Sequence, residues 1–262
     1  MGNLRDKPDM ATPYKIEYLH SVIKNNKVYK FISLDGEPSL ARKKIDTLLD
    51  GNIWFSFYKT LNDKTEYQIN YKVKKVMQKT GRRAENIHLL VNYLTQMYDV
   101  CSLTYEYHGY MWDDYASGGN GICIEFEVDD YDYLFPIEYI EKSKIDFTKM
   151  IISAINDKNL ALSIIPWVIK NPYNQTANFD STKEKEVRIL YCPYDNGDLN
   201  SGVIQENIKE RLGYKGIAKP YGQFGLKISK VIIGNNCDCE MKHKIRSKLD
   251  KKKIVCEERN NV

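Results

Sequence analysis

An α+β fold, with helices inserted between groups of strands in a mixed sheet, is what the apolar pattern of this chain predicts, and three observations carry that prediction. Short runs of β-branched and aromatic residues (VYKFISL, IWFSF, ICIEFEV) recur from residue 28 onward and read as strands. Between them lie segments whose apolar residues return at helical spacing, as at Leu40, Ile45, Leu48 and Leu49. The two kinds of segment alternate irregularly, unlike the regular βαβ order of a parallel sheet. No internal repeat and no Pro- or Gly-rich linker divides the chain, so residues 28–262 read as one domain preceded by an arm or helix over residues 1–27.

Residues 14–27 read as a short helix or arm, and 28–34 as the first strand. The turn 35–39 (DGEPS) leads to a helix through Leu49 that Ser39 is placed to cap, and Gly51 ends it. Residues 53–57 form a second strand, 61–66 a polar loop, and 68–97 a helical region broken near Gly81. A strand at 100–104, a short helix near 109–115 and a glycine break at 118–121 precede the strand 122–128. Further on, 146–170 has helical character, 183–191 and 227–233 are strand-like, 240–249 is an amphipathic helix, and 253–256 is strand-like again.

The bulk composition suits a folded globular protein, with 42% hydrophobic and 28% charged residues among 262. A chain of this length buries enough surface to need no disulfide or metal. Its 20 tyrosines each bring a large ring and a hydroxyl that wants a partner, which suits half-buried positions and clefts for planar groups. A net charge of +4 permits a basic patch without demanding nucleic acid, and the runs at Lys72, Lys74, Lys75 and Lys79 and across 242–253 read as solvated helix faces. Cys101, Cys123 and Cys192 sit among apolar residues as small hydrophobes, and no Cys-x-x-Cys pair occurs. Cys237, Cys239 and His243 lack a fourth zinc ligand at recognisable spacing, so no metal is expected. The first ten residues are polar, and no stretch approaches the ~18 apolar residues of a membrane span. The cytoplasm is the expected compartment, with no membrane partner.

The most informative segment is the strand 183–191. Alternation along a strand places Glu184, Glu186 and Arg188 on one face and Val187, Ile189 and Tyr191 on the other. Either this is an edge strand with its charges in water, or the two carboxylates line a cleft with Arg188 holding one of them ionised. Asn62 and Asp63 favour turns by bonding their own backbone, and Glu66 either caps or begins the next helix or forms a second polar wall of the cleft. Trp112 and Tyr115, three apart on one helical face, either pack as core or clamp a planar ring. Lys30, between aromatics on the first strand, either reaches a phosphate or extends to solvent. Asp63, Glu66, Glu125 and Glu184 together offer an alternative magnesium site for a nuclease.

Together these segments resemble a bacterial family known as domain of unknown function 2971 (DUF2971). The likeness rests on Tyr29-Lys30-Phe31, on Trp54-Phe55-Ser56 followed by Asn62-Asp63 and Glu66, and on Cys101-Ser102-Leu103-Thr104. It continues through Met111, Trp112, Tyr115, Ala116, Gly121, Glu125 and Phe126, and ends with Glu184, Glu186 and Arg188 and the strand closed by Gly234. The chain has Ser181 and Lys64 where that family usually carries tryptophan and proline. A fainter likeness links the chain to ADP-ribosyltransferases, whose mixed sheet is split. That likeness implies an NAD-using enzyme that modifies a protein or nucleic acid, such as a toxin or phage-defence effector. It implies Glu186 at the nicotinamide ribose, Glu184 orienting the acceptor, Arg188 in support, and Ser102 or Thr104 bracing the middle strand. Tyr29, Lys30, Ser33, Asn62, Asp63, Trp112 and Tyr115 are the implied dinucleotide-binding set. The alternatives are a nucleotide-binding sensor without turnover and the magnesium-dependent nuclease.

Overall fold

The computed structural model describes residues 12–61, 68–157, 161–174, 179–193 and 213–259. In chain order its elements begin with α1 (Thr12–Val22), β1 (Lys27–Ser33), α2 (Pro38–Leu49) and β2 (Asn52–Phe57). They continue with α3 (Val73–Thr80), α4 (Ala84–Leu94), β3 (Asp99–Thr104), α5 (Tyr110–Asp114) and β4 (Gly121–Val128). Next come β5 (Leu134–Pro136), β6 (Glu138–Tyr139), α6 (Thr148–Asn156), β7 (Ile169–Lys170), β8 (Tyr173–Asn174), β9 (Phe179–Asp180) and β10 (Glu186–Tyr191). The last are β11 (Gly216–Pro220), β12 (Leu226–Ile233), α7 (Cys239–Lys252) and β13 (Val255–Glu258). The architecture is α+β, with a mixed sheet of nine strands and helices interspersed between strand groups.

The strand-like runs fold as their composition requires, and three local assignments need correction. The helix α2 starts at Pro38 rather than at a Ser39 cap, because a proline at the first helical position has its φ preset and no amide proton to leave unsatisfied. Within 146–170 the α-helix stops at Asn156, 161–167 is a 3-10 turn containing Pro166, and Ile169–Lys170 pairs in parallel with Glu138–Tyr139. Proline has no amide to donate and cannot continue an α-helix. The strand expected from residue 183 begins only at Glu186, after a 3-10 turn over Ser181–Glu184.

One path through the sheet runs β11-β2-β3-β1-β4-β12-β13, antiparallel except for the parallel pair β12–β13. On the other edge of β3 lies β10, which also pairs with β5. The edge-strand reading of residues 183–191 therefore fails. With a neighbour on each side, β10 is an interior strand, and all six of its residues are buried.

Alternation sorts the core between the faces. Cys101, Leu103, Val187, Ile189 and Tyr191 join β4 and β12 residues and the inward side chains of α1, α2 and α7 in the largest apolar cluster. On the opposite face, Val100 and Leu190 meet α3, α4, α6 and Trp167. On that same face Phe31, Met111, Trp112, Ala116, Cys123 and Ile232 form a third, smaller cluster. A face carrying two separate apolar clusters has room between them for something polar.

Where β12 ends, the backbone passes so close to the glycine break that a Cβ on Gly234 would lie 2.0 Å from the Gly119 carbonyl oxygen. Gly234→Ala should therefore lower stability by about 2–3 kcal/mol, the upper part of the range for an overpacked interior. Urea unfolding of the variant beside the parent checks it.

Candidate functional site

The site follows from the way β3 is paired. β10 runs along one edge of β3 for its whole length, from Glu186 opposite Thr104 to Tyr191 opposite Asp99. On the other edge β2 takes only Asp99 and Val100, and β1 takes only Thr104, opposite Tyr29. The sheet forks there. Cys101, Ser102 and Leu103 have no ladder partner on that edge among the described residues, and a buried backbone carbonyl without a donor is expensive. Lys30 resolves this from β1, its Nζ donating to the Ser102 carbonyl at 2.9 Å.

A cleft of about 220 Å³ opens at the fork. Its walls include Tyr29 and Lys30 from β1, Ser56 from β2, Val100 through Thr104 except Cys101 from β3, and Met111 and Tyr115 at α5. Val100 belongs to one apolar cluster of this face and Met111 to the other, so the cleft is the gap between them. Its polar end is made by Lys170, Glu184 and Glu186.

That polar end is a buried ionic network. Glu186 and Arg188 point to one side of β10, and Arg188, 1% exposed, has its guanidinium on both carboxylate oxygens of Glu186, Nε at 2.6 Å and a terminal nitrogen at 3.1 Å. Its remaining terminal nitrogen donates to the Trp167 carbonyl at 2.9 Å. The planar fork of arginine satisfies two oxygens at once, which a lysine cannot do. Lys170, on β7, bridges the two glutamates, with Nζ 3.0 Å from Glu186 and hydrogen-bonded to Glu184 as well. Tyr115 donates its hydroxyl to the other oxygen of Glu184, and the Tyr139 hydroxyl accepts from the Glu186 amide at 3.0 Å.

Glu184 reaches this network by a route that strand alternation does not describe. Asp180 caps the turn by accepting from the Thr182 amide at 3.1 Å, and Lys185 then adopts a left-handed backbone, φ 48°, that redirects the chain into β10. Glu184 and Glu186 converge because a turn places one and a strand the other.

Their environments push the two carboxyls in opposite directions. Burial and the nearby charge of Glu186 raise Glu184 to about 7, against the pull of Lys170 and its hydrogen bonds. Burial would raise Glu186 too, but the charges of Arg188 and Lys170, with hydrogen bonds from Arg188 and Ser102, outweigh it and hold Glu186 well below the usual carboxylate range. Burial and the charge of Glu184 push the Tyr115 hydroxyl far up, and burial with Glu125 raises Tyr29 to about 12. Both phenols stay protonated and can donate.

Of the residues singled out from sequence, Tyr29, Lys30, Tyr115, Glu184 and Glu186 meet at the cleft, with Arg188 directly behind. Trp112 does not line it. It is fully buried, edge-on to Phe31, with its indole N–H donating to the Tyr107 hydroxyl at 3.0 Å. Ser33 stands at the far end of β1, its hydroxyl 2.6 Å from that of Ser117. Asn62, Asp63 and Glu66 lie outside the described residues. Glu125 occupies a separate network on β4, 3.3 Å from Lys27, with Ser229 donating to it at 2.8 Å. Among the described residues no group of three or more His, Cys, Asp or Glu is placed to hold a metal, and no helix is long and apolar enough to cross a membrane.

The sequence reading missed Lys170 and Tyr139. The one signal for Lys170 is a charge closing the apolar run IIPWVIK, where a solvated helix end is the ordinary interpretation. No protein family, curated protein or solved structure matches this chain.

Two outcomes follow from the network. Arg188→Met should lower stability by about 3–5 kcal/mol, because among the described residues it leaves the buried Glu186 charge with Lys170 as its one cationic partner. Denaturant titration reads it. A carboxyl raised in the folded state binds its proton more tightly there than in the unfolded chain. The contribution of Glu184 is therefore fully present below about pH 4.5 and lost as pH rises through about 7. The decline in urea midpoint between those values should be smaller in Glu184→Gln than in the parent.

Proposed function

We propose that the cleft takes the nicotinamide–ribose end of NAD and that the protein is an ADP-ribosyltransferase-like enzyme acting on a macromolecule. The observation that carries this reading is the pair of carboxyls in one cleft with affinities for protons pushed far apart. Such a pair divides the work of general acid or base and charged stabiliser. The cleft volume, about 220 Å³, is below the ~300 Å³ at which pockets begin to enclose whole drug-sized ligands, so it suits one ring and one sugar.

The chemistry supplied by NAD is a labile bond between a ribose anomeric carbon and a cationic ring nitrogen, which leaves as neutral nicotinamide while positive charge grows on the sugar. Glu186 stays ionised at any physiological pH and is the group to face that charge and to accept from ribose hydroxyls. Ser102 and Arg188 fix its orientation. Glu184 titrates near neutrality and is the group to take the proton from an attacking hydroxyl or amine. Tyr29 offers a ring and a neutral hydroxyl on the opposite wall. The fainter likeness to ADP-ribosyltransferases, whose mixed sheet is split, supports the same reading through the fork in this sheet. A toxin or phage-defence role belongs to this proposal.

A nucleotide-binding module without turnover is the second reading. It is favoured by the fact that Glu184, Glu186, Lys170 and Arg188 already satisfy one another. Incubation with NAD labelled in the adenylate and nicotinamide parts, with and without cell lysate, separates the two. Release of nicotinamide with transfer of label, reduced on the order of 100-fold or more in Glu186→Gln, is the expected result. Labelled NAD that binds and is recovered intact would establish the binding module, and turnover unchanged in Glu186→Gln would refute the assignment of Glu186.

A further inference from the structure

We propose that the ledge formed by α3 and the turn after it binds the phosphate backbone of single-stranded nucleic acid. Six cations, Lys72, Lys74, Lys75, Lys79, Arg82 and Arg83, fall within residues 72–83 with no acid among them, and all six are exposed. Lys72 alone of these side chains forms an ion pair among the described residues, with Asp146 at 3.3 Å.

This arrangement works against the helix that carries it. The first turn of α3 has no acidic residue, and Lys72, Lys74 and Lys75 crowd the end where the helix macrodipole is positive and disfavours cations. Lys75 and Lys79 stand four apart on one face, a spacing at which like charges repel. At eight residues α3 is too short to hold itself together, and it depends on Val76, which is fully buried against α4 and α6. An arrangement that merely kept a surface soluble would mix both signs. Concentrated, unpaired positive charge is relieved by a polyanion, which neutralises it and sheds counterions in return.

Two further observations select the polyanion. The apolar residues of α3 turn inward, Val76 buried and Val73 packed on the same cluster, leaving Met77 as its exposed large apolar side chain. That is too little to enter a bilayer. At the start of the ledge the Tyr71 hydroxyl lies 2.6 Å from His88 Nδ1, the rings edge-on at 6.0 Å, and His88 is exposed. Aromatic surface beside a basic track is what unpaired bases stack on, and an acidic peptide makes no use of it. Val76 shares its cluster with Leu61 and Val100, which line the cleft, so α3 packs over the same face of the sheet that carries the cleft. The proposal goes beyond the NAD reading and does not depend on it.

The test is fluorescence anisotropy of labelled single-stranded RNA and DNA, each about 20 nucleotides, titrated with the full chain over a range of salt. Binding is expected to weaken steeply with salt for at least one of the two, and the tighter one identifies the source. The triple variant Lys75→Gln, Lys79→Gln, Arg82→Gln should bind on the order of 100-fold more weakly, with the logarithmic salt slope shallower by about 2. Its melting temperature should equal or exceed that of the parent, since repulsion has been removed. Lys75→Arg with Lys79→Arg should keep the affinity, and His88→Ala should lose about tenfold through stacking. No salt-dependent binding of either strand would overturn the proposal. So would undiminished binding in a folded triple variant, or binding of phosphatidylserine vesicles or polyglutamate in preference to both oligonucleotides.

Discussion

Arg188 sits where four elements meet, and the charge it carries determines what they can do. It is nearly sealed from solvent, its guanidinium holds both oxygens of Glu186, and its other terminal nitrogen reaches the Trp167 carbonyl in the segment leading to β7. A lone buried cation would be untenable, and so would a lone buried carboxylate. Together they allow an interior strand to carry charge on one face while Val187, Ile189 and Tyr191 fill the main core on the other. The segment that ends in Lys170 is fastened by the same contact, and Lys170 brings in Glu184. A buried ionic network of this kind is no bargain in stability compared with a well-packed apolar one. Its presence in the centre of the sheet calls for a chemical reason, and the divergent proton affinities of Glu184 and Glu186 are one.

The fork in the sheet is the other half of the design. Two strands sharing one edge of β3 cannot both pair along its length, and the three residues between them are where the main chain becomes available. Lys30 occupies part of that vacancy with a side chain in place of a strand. The apolar clusters to either side keep the gap from collapsing, because each is already packed within itself.

Much of the fold was legible because strand composition is a local property. The runs around β1, β2, β4 and β12 announce themselves by their β-branched and aromatic content, and α7 by its spacing. Short pieces such as β5, β6 and β7 are too brief to carry a period, and their identity comes from what they pair with. The candidate site was half visible. Glu186 and Arg188 stand out as charges in an apolar run, and Lys30 as a cation between aromatics. Glu184 was grouped correctly for the wrong reason, since a left-handed Lys185 intervenes. Of the two readings the spacing offers for Trp112, burial selects core packing, while strand length carries Ser33 away from the cleft. The local signal at Lys170, a charge closing an apolar run, is the same as for a solvated helix end, and it becomes a site residue only through partners 14 and 16 residues along the chain.

The separations in sequence across the cleft have a kinetic meaning. Lys30 meets a carbonyl 72 residues away, and Tyr115 meets a carboxylate 69 residues away. Contacts of that span close large loops, and they form late in a search that begins with local turns and helices. The polar cleft therefore exists only in the finished molecule, and a partly folded chain cannot carry out whatever the cleft does.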